Sequence, residues 1–237
     1  MATNTTMLAG DGSDHILAPV WSYCLNNMSE FTFVYIGTFV IHELCYFGCA
    51  VPYMIADAIP YFAKYKIEAG SYPSKERLWS VFKTLLFLHV FIEGPMIAFT
   101  HYFVTMMGMR IEMPFPSWLS IAKTCVLCFL IEDFYFYWCH RLLHRPFWYK
   151  HIHKIHHENN EPFGIAAEYA HWAETAILGL GTILGPIFTC DHLLTLWSGS
   201  LSASSRPSRS TRATTFRGRS TAGCPAGPVR LPTRSTT

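Results

Sequence analysis

The chain has 237 residues, of which 51% are hydrophobic and 14% are charged. Soluble proteins carry about a quarter charged residues, so this composition favours a membrane protein. Residues 198–237 contain seven arginines and no acidic residue, which leaves 11 basic and 16 acidic residues in positions 1–197. This negative balance gives no electrostatic case for nucleic-acid binding, which would need a basic face.

Four apolar stretches follow an N-terminal segment, which we assign to residues 1–30. They cover residues 31–56, 80–107, 118–139 and 175–197, and each reaches the roughly 20 residues that span a bilayer. All four contain acidic side chains, which inside a membrane face a bundle interior or a polar cavity. The pattern predicts an all-α membrane protein with about four transmembrane or re-entrant helical stretches. A large soluble helical protein is the alternative.

Two further features shape these stretches. Gly185 and Pro186 predict a kink or a re-entrant hairpin in the fourth stretch. Basic residues cluster after the first stretch and after the third, whereas the link between the second and third has only Arg110. By the positive-inside rule, both basic links lie in the cytosol. The clusters are Lys64, Lys66, Lys75 and Arg77, and Arg141, Arg145, Lys150 and Lys154.

Half of the twelve histidines lie between positions 140 and 157, just after the third stretch. The segment HRLLH places His140 and His144 four residues apart, on the helical face that also holds Asp133 and Tyr137. The segment HKIHH repeats this arrangement with its three histidines at i, i+3 and i+4. These three are His153, His156 and His157.

Two histidine boxes this close together, at the end of a predicted span, favour a metal site. The alternative is an amphipathic surface segment whose histidines lie near the lipid headgroups. Imidazole ligands suit iron, zinc and copper, so the spacing does not choose the metal. Asp133, Glu158 and Glu168 are the carboxylates that could orient the histidines. His171 is a weaker ligand candidate, and we interpret His42, His89, His101 and His192 as paired or interior-facing structural side chains.

The two boxes, together with the segments IEDFYFYWCHRLLH (131–144) and PFGIAAEYAH (162–171), resemble a known family. They are similar to the histidine-box membrane hydroxylases of the fatty-acid hydroxylase and sterol desaturase superfamily, and in particular to its C-4 methylsterol monooxygenases. KYKI (64–67) also fits this pattern. The resemblance runs from about Trp21 to Trp197, so we assign residues 31–197 to a membrane-embedded hydroxylase-like domain.

The resemblance implies a non-haem di-iron centre on the cytosolic face of the endoplasmic reticulum membrane, in a multi-pass protein. It implies O2-dependent hydroxylation of a sterol 4-methyl group, with electrons from NAD(P)H through cytochrome b5 and its reductase. Other enzymes of sterol C-4 demethylation are the implied partners. The implied iron ligands are His140, His144, His153, His156 and His157, with His171 weaker because Trp172 and Ala173 depart from the expected pattern. Another lipid hydroxylase or desaturase, or a non-catalytic metal-binding membrane protein, is the alternative.

The resemblance also implies a third histidine box after the fourth stretch, but no histidine follows His192. Residues 198–237 are rich in Ser, Thr, Arg, Pro and Gly, a composition typical of a disordered basic tail. A reading-frame shift near residue 198 is the sharper interpretation. We therefore expect the sequence as written to bind metal poorly and to be a defective oxidase.

Overall fold

The computed structural model describes residues 15–65, 73–158 and 163–204, and the part of the predicted tail beyond residue 204 lies outside it. The described residues form helices and no β-strand, which confirms the predicted all-α class. The eight α-helices are α1 (Ala18–Asn27), α2 (Glu30–Ala58), α3 (Lys75–Leu88), α4 (Gly94–Met106), α5 (Trp118–Leu143), α6 (Pro146–His151), α7 (Trp172–Thr189) and α8 (Leu193–Ser204).

Serine side chains begin three of the long helices. Ser29, Ser74 and Ser117 each precede a helix and accept a hydrogen bond from a backbone N–H three residues later. Such caps satisfy backbone donors that lack a partner within the helix. Between α3 and α4 the chain does not break but forms a π-helical turn at His89–Glu93, so Lys75–Met106 is one continuous rod.

Three helices of the described chain are long and apolar enough to cross a membrane: Glu30–Ala58, Lys75–Met106 and Trp172–Thr189. Only 22 to 28% of each apolar window is buried within the protein, so most of these side chains face outwards, as lipid-facing residues do. The third predicted stretch forms helix α5 but is not among the three. Lys123, Glu132, Asp133 and Arg141 leave at least three charged residues in any 18-residue window of α5.

The sequence predicts a kink or a re-entrant hairpin at Gly185–Pro186, and the hairpin does not form there. Helix α7 continues through both residues to Thr189, and the chain turns only at Cys190–His192 before α8. Proline is tolerated within membrane helices where neighbouring helices compensate for the lost backbone bond. Here Gly185 lies directly against α5, where an added Cβ would come 2.8 Å from the Cα of Cys128.

Helix α7 packs along α5 in the most extensive helix–helix contact of the described chain, and α8 packs against both α2 and α5. The first residues of the predicted tail, Ser198 to Ser204, belong to α8. The tail boundary at residue 198 and the assignment of its remainder to a separate segment stay predictions. Because α5 and α7 are held together, the residues at their neighbouring ends form one site.

His192 anchors the turn between α7 and α8. It is fully buried and lies outside the three candidate spans. Its Nε2–H donates to the carbonyl of Glu112 (3.1 Å), and its Nδ1 accepts from the backbone N–H of Leu194 (3.0 Å). Burial lowers the pKa of His192 below its ordinary value of 6.5. The sequence-based interpretation of His192 as a paired structural histidine agrees with these contacts.

The lowered pKa of His192 predicts a loss of stability in acid. Below about pH 6.5 the unfolded chain binds a proton at this residue that the folded chain does not, so the free energy of unfolding falls until pH reaches the lowered pKa. We expect the wild type to lose more stability than His192→Gln between about pH 7 and about pH 5.5. Thermal unfolding in detergent micelles, followed by circular dichroism, measures this, and equal losses in both chains would contradict it.

Candidate metal centre

Four histidines of the two boxes bring their Nε2 atoms close together around His153. The Nε2 atoms of His140 and His144 lie 3.2 Å apart, and those of His144 and His153 lie 3.1 Å apart. The Nε2 of His157 lies 3.0 Å from that of His153. The ligand atoms of His140, His144 and His153 all lie within 4.8 Å of one another. Such convergence of imidazole nitrogens suits a shared metal ion.

The chain brings the boxes together by reversing direction within ten residues. Helix α5 ends at Leu143, and Pro146 opens the short helix α6 at the first helical position, where proline is favoured. A 3₁₀ helix, His153–Glu158, then carries the second box back over the end of α5. His140 and His144 therefore approach the centre from α5, and His153 and His157 approach it from the returning segment.

A buried glutamate orients the central histidine. His153 and Glu174 are 0% and 2% exposed, and Nδ1–H of His153 donates to Oε1 of Glu174 at 2.8 Å. In neutral imidazole the other nitrogen then carries a lone pair, so Nε2 of His153 is prepared to bind a metal. Glu174 lies in the first turn of α7. Spacing in the sequence does not single out Glu174, although Glu174 follows His171 by only three residues.

The remaining predicted residues lie around this centre in other roles. His156 donates from Nδ1 to the carbonyl of Tyr169 (3.2 Å), and its ring stacks on that of His153. His171 caps α7, where its Nδ1 accepts from the backbone N–H of Ala173 (3.2 Å). The structure therefore places His171 as a helix cap, and the metal-ligand role of all these residues remains a prediction.

The three predicted orienting carboxylates do not take the part that Glu174 takes. Glu158 accepts a hydrogen bond from the hydroxyl of Tyr169 (3.3 Å), and Asp133 is exposed on α5. Glu168 points to His89, with Oε2 at 3.0 Å from Nε2. An orienting role for these three carboxylates stays a prediction, and the packing of α7 brings Glu174 into contact with His153 instead.

The surroundings disfavour the charged form of two box histidines. Burial, together with the neighbouring His153, lowers the pKa of His144 and that of His157 below the ordinary value of 6.5. Neutral imidazoles keep the lone pairs that a metal requires. The lowered pKa values of His144 and His157 therefore favour metal binding near neutral pH.

A second cluster of histidine and carboxylate side chains lies within the helices. His42, His89, Glu93 and Glu168 bring one ligand atom each to within 4.8 Å of one another. His42 Nε2 and Glu93 Oε2 are 2.6 Å apart, and His89 Nδ1 lies 2.9 Å from Oε1 of Glu43. Both histidines are paired with carboxylates, as their sequence-based interpretation as structural histidines expects.

Two adjoining cavities connect these clusters. The larger, about 610 Å³, has a mostly apolar lining that includes Val34, Phe129 and Leu196. The smaller, about 290 Å³, reaches His140, His156 and Glu174. His42 and Glu168 border both cavities. Ligand sites of 300 to 1,000 Å³ with few polar groups are typical of small-molecule binding, so an apolar ligand can lie beside the histidine boxes.

Comparisons with known proteins agree with this site. The family model described as fatty acid hydroxylase matches residues 125–206. A Dictyostelium discoideum relative whose name assigns it to the methylsterol monooxygenases is 42% identical over 186 residues, which is 76% of this chain and 67% of the relative. No solved structure matches the chain.

Two further relatives extend the comparison. Methylsterol monooxygenase 1 of Gallus gallus is 42% identical over 179 residues, 75% of this chain and 60% of that protein. A protein of Oryza sativa subsp. indica named very-long-chain aldehyde decarbonylase is 38% identical over 181 residues, 76% of this chain and 67% of that protein. The chain thus spans about two thirds of the length of the relatives it matches.

Proposed function

Because the chain belongs to the fatty acid hydroxylase family and matches methylsterol monooxygenases over three quarters of its length, we propose that it descends from, and retains the site of, an O2-dependent sterol 4-methyl oxidase. The observation that carries this proposal is the convergence of four box histidines beside an apolar cavity. The reaction inserts one oxygen atom of O2 into a methyl C–H bond. Two electrons and two protons reduce the other oxygen atom to water.

The residues present fit a non-haem iron. His140, His144, His153 and His157 would hold it, since their Nε2 atoms already converge and Glu174 fixes His153 in the required tautomer. One oxygen of Glu174 and Nδ1 of His140 are buried without a hydrogen-bond partner in the described part of the chain, so the polar site is not satisfied by protein groups alone. Bound iron would supply the activation of O2, as the family resemblance implies.

The protein's own groups hold and orient the substrate. A sterol is almost entirely hydrocarbon, so burying it in the larger cavity is favourable in proportion to the apolar area removed from water. Phe136 stacks on His140 at 5.4 Å between ring centroids and forms part of the wall of the smaller cavity. The continuity of the two cavities would allow one end of a sterol to approach the histidine boxes while water is excluded along the apolar part.

The remaining family properties are parts of the same proposal. We propose that electrons come from NAD(P)H through cytochrome b5 and its reductase, in the endoplasmic reticulum membrane, with other sterol C-4 demethylation enzymes as neighbours. A cytosolic position for the histidine segment is supported by the basic residues Arg141, Arg145, Lys150 and Lys154 that surround it. That position is where a soluble electron-donor domain could approach the metal.

The number of histidine ligands limits the proposed sterol oxidation. The resemblance implies a third histidine box beyond α8, and no histidine follows His192 in these 237 residues. We therefore propose that these residues on their own hold iron weakly and oxidise sterol slowly. A second function has specific support from the rice relative, whose name implies a long-chain aldehyde substrate; the same cavity would hold such a chain.

The test measures substrate binding separately from substrate turnover. We expect the purified chain to bind 4,4-dimethylsterol in preference to a very-long-chain aldehyde. In cells lacking their own sterol 4-methyl oxidase, we expect the chain to consume little of the sterol. Binding is measured on purified chain in detergent, with His153→Gln as the control that spares the larger cavity. Robust sterol turnover would contradict the limit set by the ligand count. Preferential aldehyde binding would overturn the sterol assignment in favour of the second function.

A further inference from the structure

The cluster of His42, His89, Glu93 and Glu168 lies inside the protein and shares no side chain with the histidine boxes. Its four residues come from three elements: α2, the π turn and the 3₁₀ helix Gly164–Glu168. His42 and Glu93 belong to candidate membrane spans, where ionisable groups are costly and mark functional sites. A functional role is therefore expected for His42 and Glu93.

From this geometry we propose that His42, His89, Glu93 and Glu168 form a second metal site, separate from the histidine boxes, for a divalent transition ion of the zinc or ferrous type. Two imidazoles and two carboxylates are ligands that these ions accept. One ligand atom from each residue lies within 4.8 Å of all the others. That spread is compatible with a single ion at about 2.0 to 2.2 Å from nitrogen and oxygen ligands.

The orientation of His89 repeats that of His153. His89 is buried, its Nδ1–H faces the carboxylate of Glu43 at 2.9 and 3.1 Å, and its Nε2 lies 3.0 Å from Oε2 of Glu168, another member of the cluster. A carboxylate that fixes the outer nitrogen of a histidine is the arrangement usual around bound metals. Glu43 serves His89 as Glu174 serves His153, and the two sites share one design.

The contact between His42 and Glu93 adds a second imidazole–carboxylate pair to the cluster. Their Nε2 and Oε2 atoms are 2.6 Å apart, and both atoms are buried. The contact does not meet hydrogen-bond geometry, which requires the N–H to align with the acceptor. Both atoms also lie within 4.8 Å of the ligand atoms of His89 and Glu168, so one ion could be shared by the four residues.

The backbone is shaped to make this convergence. His89 and Glu93 bound the π-helical turn that interrupts the rod from Lys75 to Met106. Such single turns within α-helices are frequent at functional sites. The cluster is also accessible, because His42 and Glu168 border both cavities and Glu93 borders the smaller one.

The experiment counts metal ions with the box site removed. In purified full-length chain carrying His144→Gln and His153→Gln, we expect one Co²⁺ equivalent to remain bound, with an absorption spectrum of mixed nitrogen and oxygen ligation. Adding Glu93→Gln and Glu168→Gln should weaken this binding at least tenfold. Glu43→Gln alone should weaken it by about 10- to 100-fold, as loss of an orienting carboxylate does. The matched control is His101→Gln, because His101 lies on α4 and contacts Thr105 instead of the cluster.

Each other result decides against the site. If the box variant binds no Co²⁺, or if binding survives Glu93→Gln with Glu168→Gln, the cluster is a network of ion pairs and the proposal is wrong. If the box substitutions unfold the chain, the count is made in the wild type, where the cluster substitutions must remove one equivalent and His101→Gln none. Because Co²⁺ binding is measured without sterol, failure here leaves the proposed oxidase function untouched.

Discussion

Replacing Glu174 with alanine is expected to lower the free energy of unfolding by about 3 kcal/mol, the cost of removing one partner from a buried pair. His153 would keep a buried Nδ1–H with no acceptor, because both side chains are almost completely excluded from solvent. The same change frees the His153 ring to rotate or change tautomer. Iron or Co²⁺ affinity at the histidine boxes should therefore fall by about 10- to 100-fold.

Two measurements separate the structural from the metal effect of Glu174. Denaturation in mixed micelles gives the unfolding free energy without metal, and equilibrium dialysis gives the metal affinity. Glu174→Gln keeps an oxygen that can accept from Nδ1–H, so it should recover most of the stability and part of the affinity. Unchanged affinity in Glu174→Ala, with the protein folded, would show that Glu174 does not orient a ligand.

The second large effect is expected from Gly185→Val in the contact between α5 and α7. Even a single Cβ at residue 185 would lie 2.8 Å from the Cα of Cys128, which is backbone and cannot rotate away. Helices α5 and α7 must then separate. Overpacking of this kind costs about 1 to 3 kcal/mol, and it should also weaken metal binding, since α5 carries His140 and α7 carries Glu174.

A glycine elsewhere supplies the control for this substitution. Gly48 is helical, and a Cβ built there meets nothing within 4 Å. Gly48→Ala should leave the metal affinity unchanged and raise stability slightly, because alanine is favoured over glycine in a helix by about 1 kcal/mol. Equal thermal midpoints and metal affinities for Gly185→Val and the wild type would contradict the close contact.

Features that depend on residues close together in the chain could be predicted from the sequence, and features that depend on distant residues could not. Apolar length predicts α2, the rod Lys75–Met106 and α7, and local spacing selects His140, His144 and His153, which do converge. These features depend on neighbours within one or two turns. The re-entrant hairpin considered at Gly185–Pro186 does not form, and the contact with Cys128 that accompanies the continuous helix there comes from a distant residue that local spacing does not reveal.

The missed features all join residues far apart in the chain. Glu174 reaches His153 across 21 positions, and Glu168 reaches His89 across 79. Spacing could not pair them, because the pairing depends on how α7 and the 3₁₀ helix Gly164–Glu168 are placed against the other helices. The sequence predicts Asp133, Glu158 and Glu168 as orienting carboxylates, whereas the carboxylate that contacts His153 is that of Glu174.

The π turn at His89–Glu93 also sets the angular register of the rod that contains it. An i→i+5 turn holds one more residue than an α-helical turn, and each residue of an α-helix advances the side chain by about 100°. Every residue from Gly94 to Met106 is therefore rotated about the axis relative to a plain α-helix of the same sequence. Deleting one residue from the π turn would rotate the segment from Gly94 to Met106 about the helix axis. This short turn therefore determines which side chains of that segment meet lipid and which enter the interior.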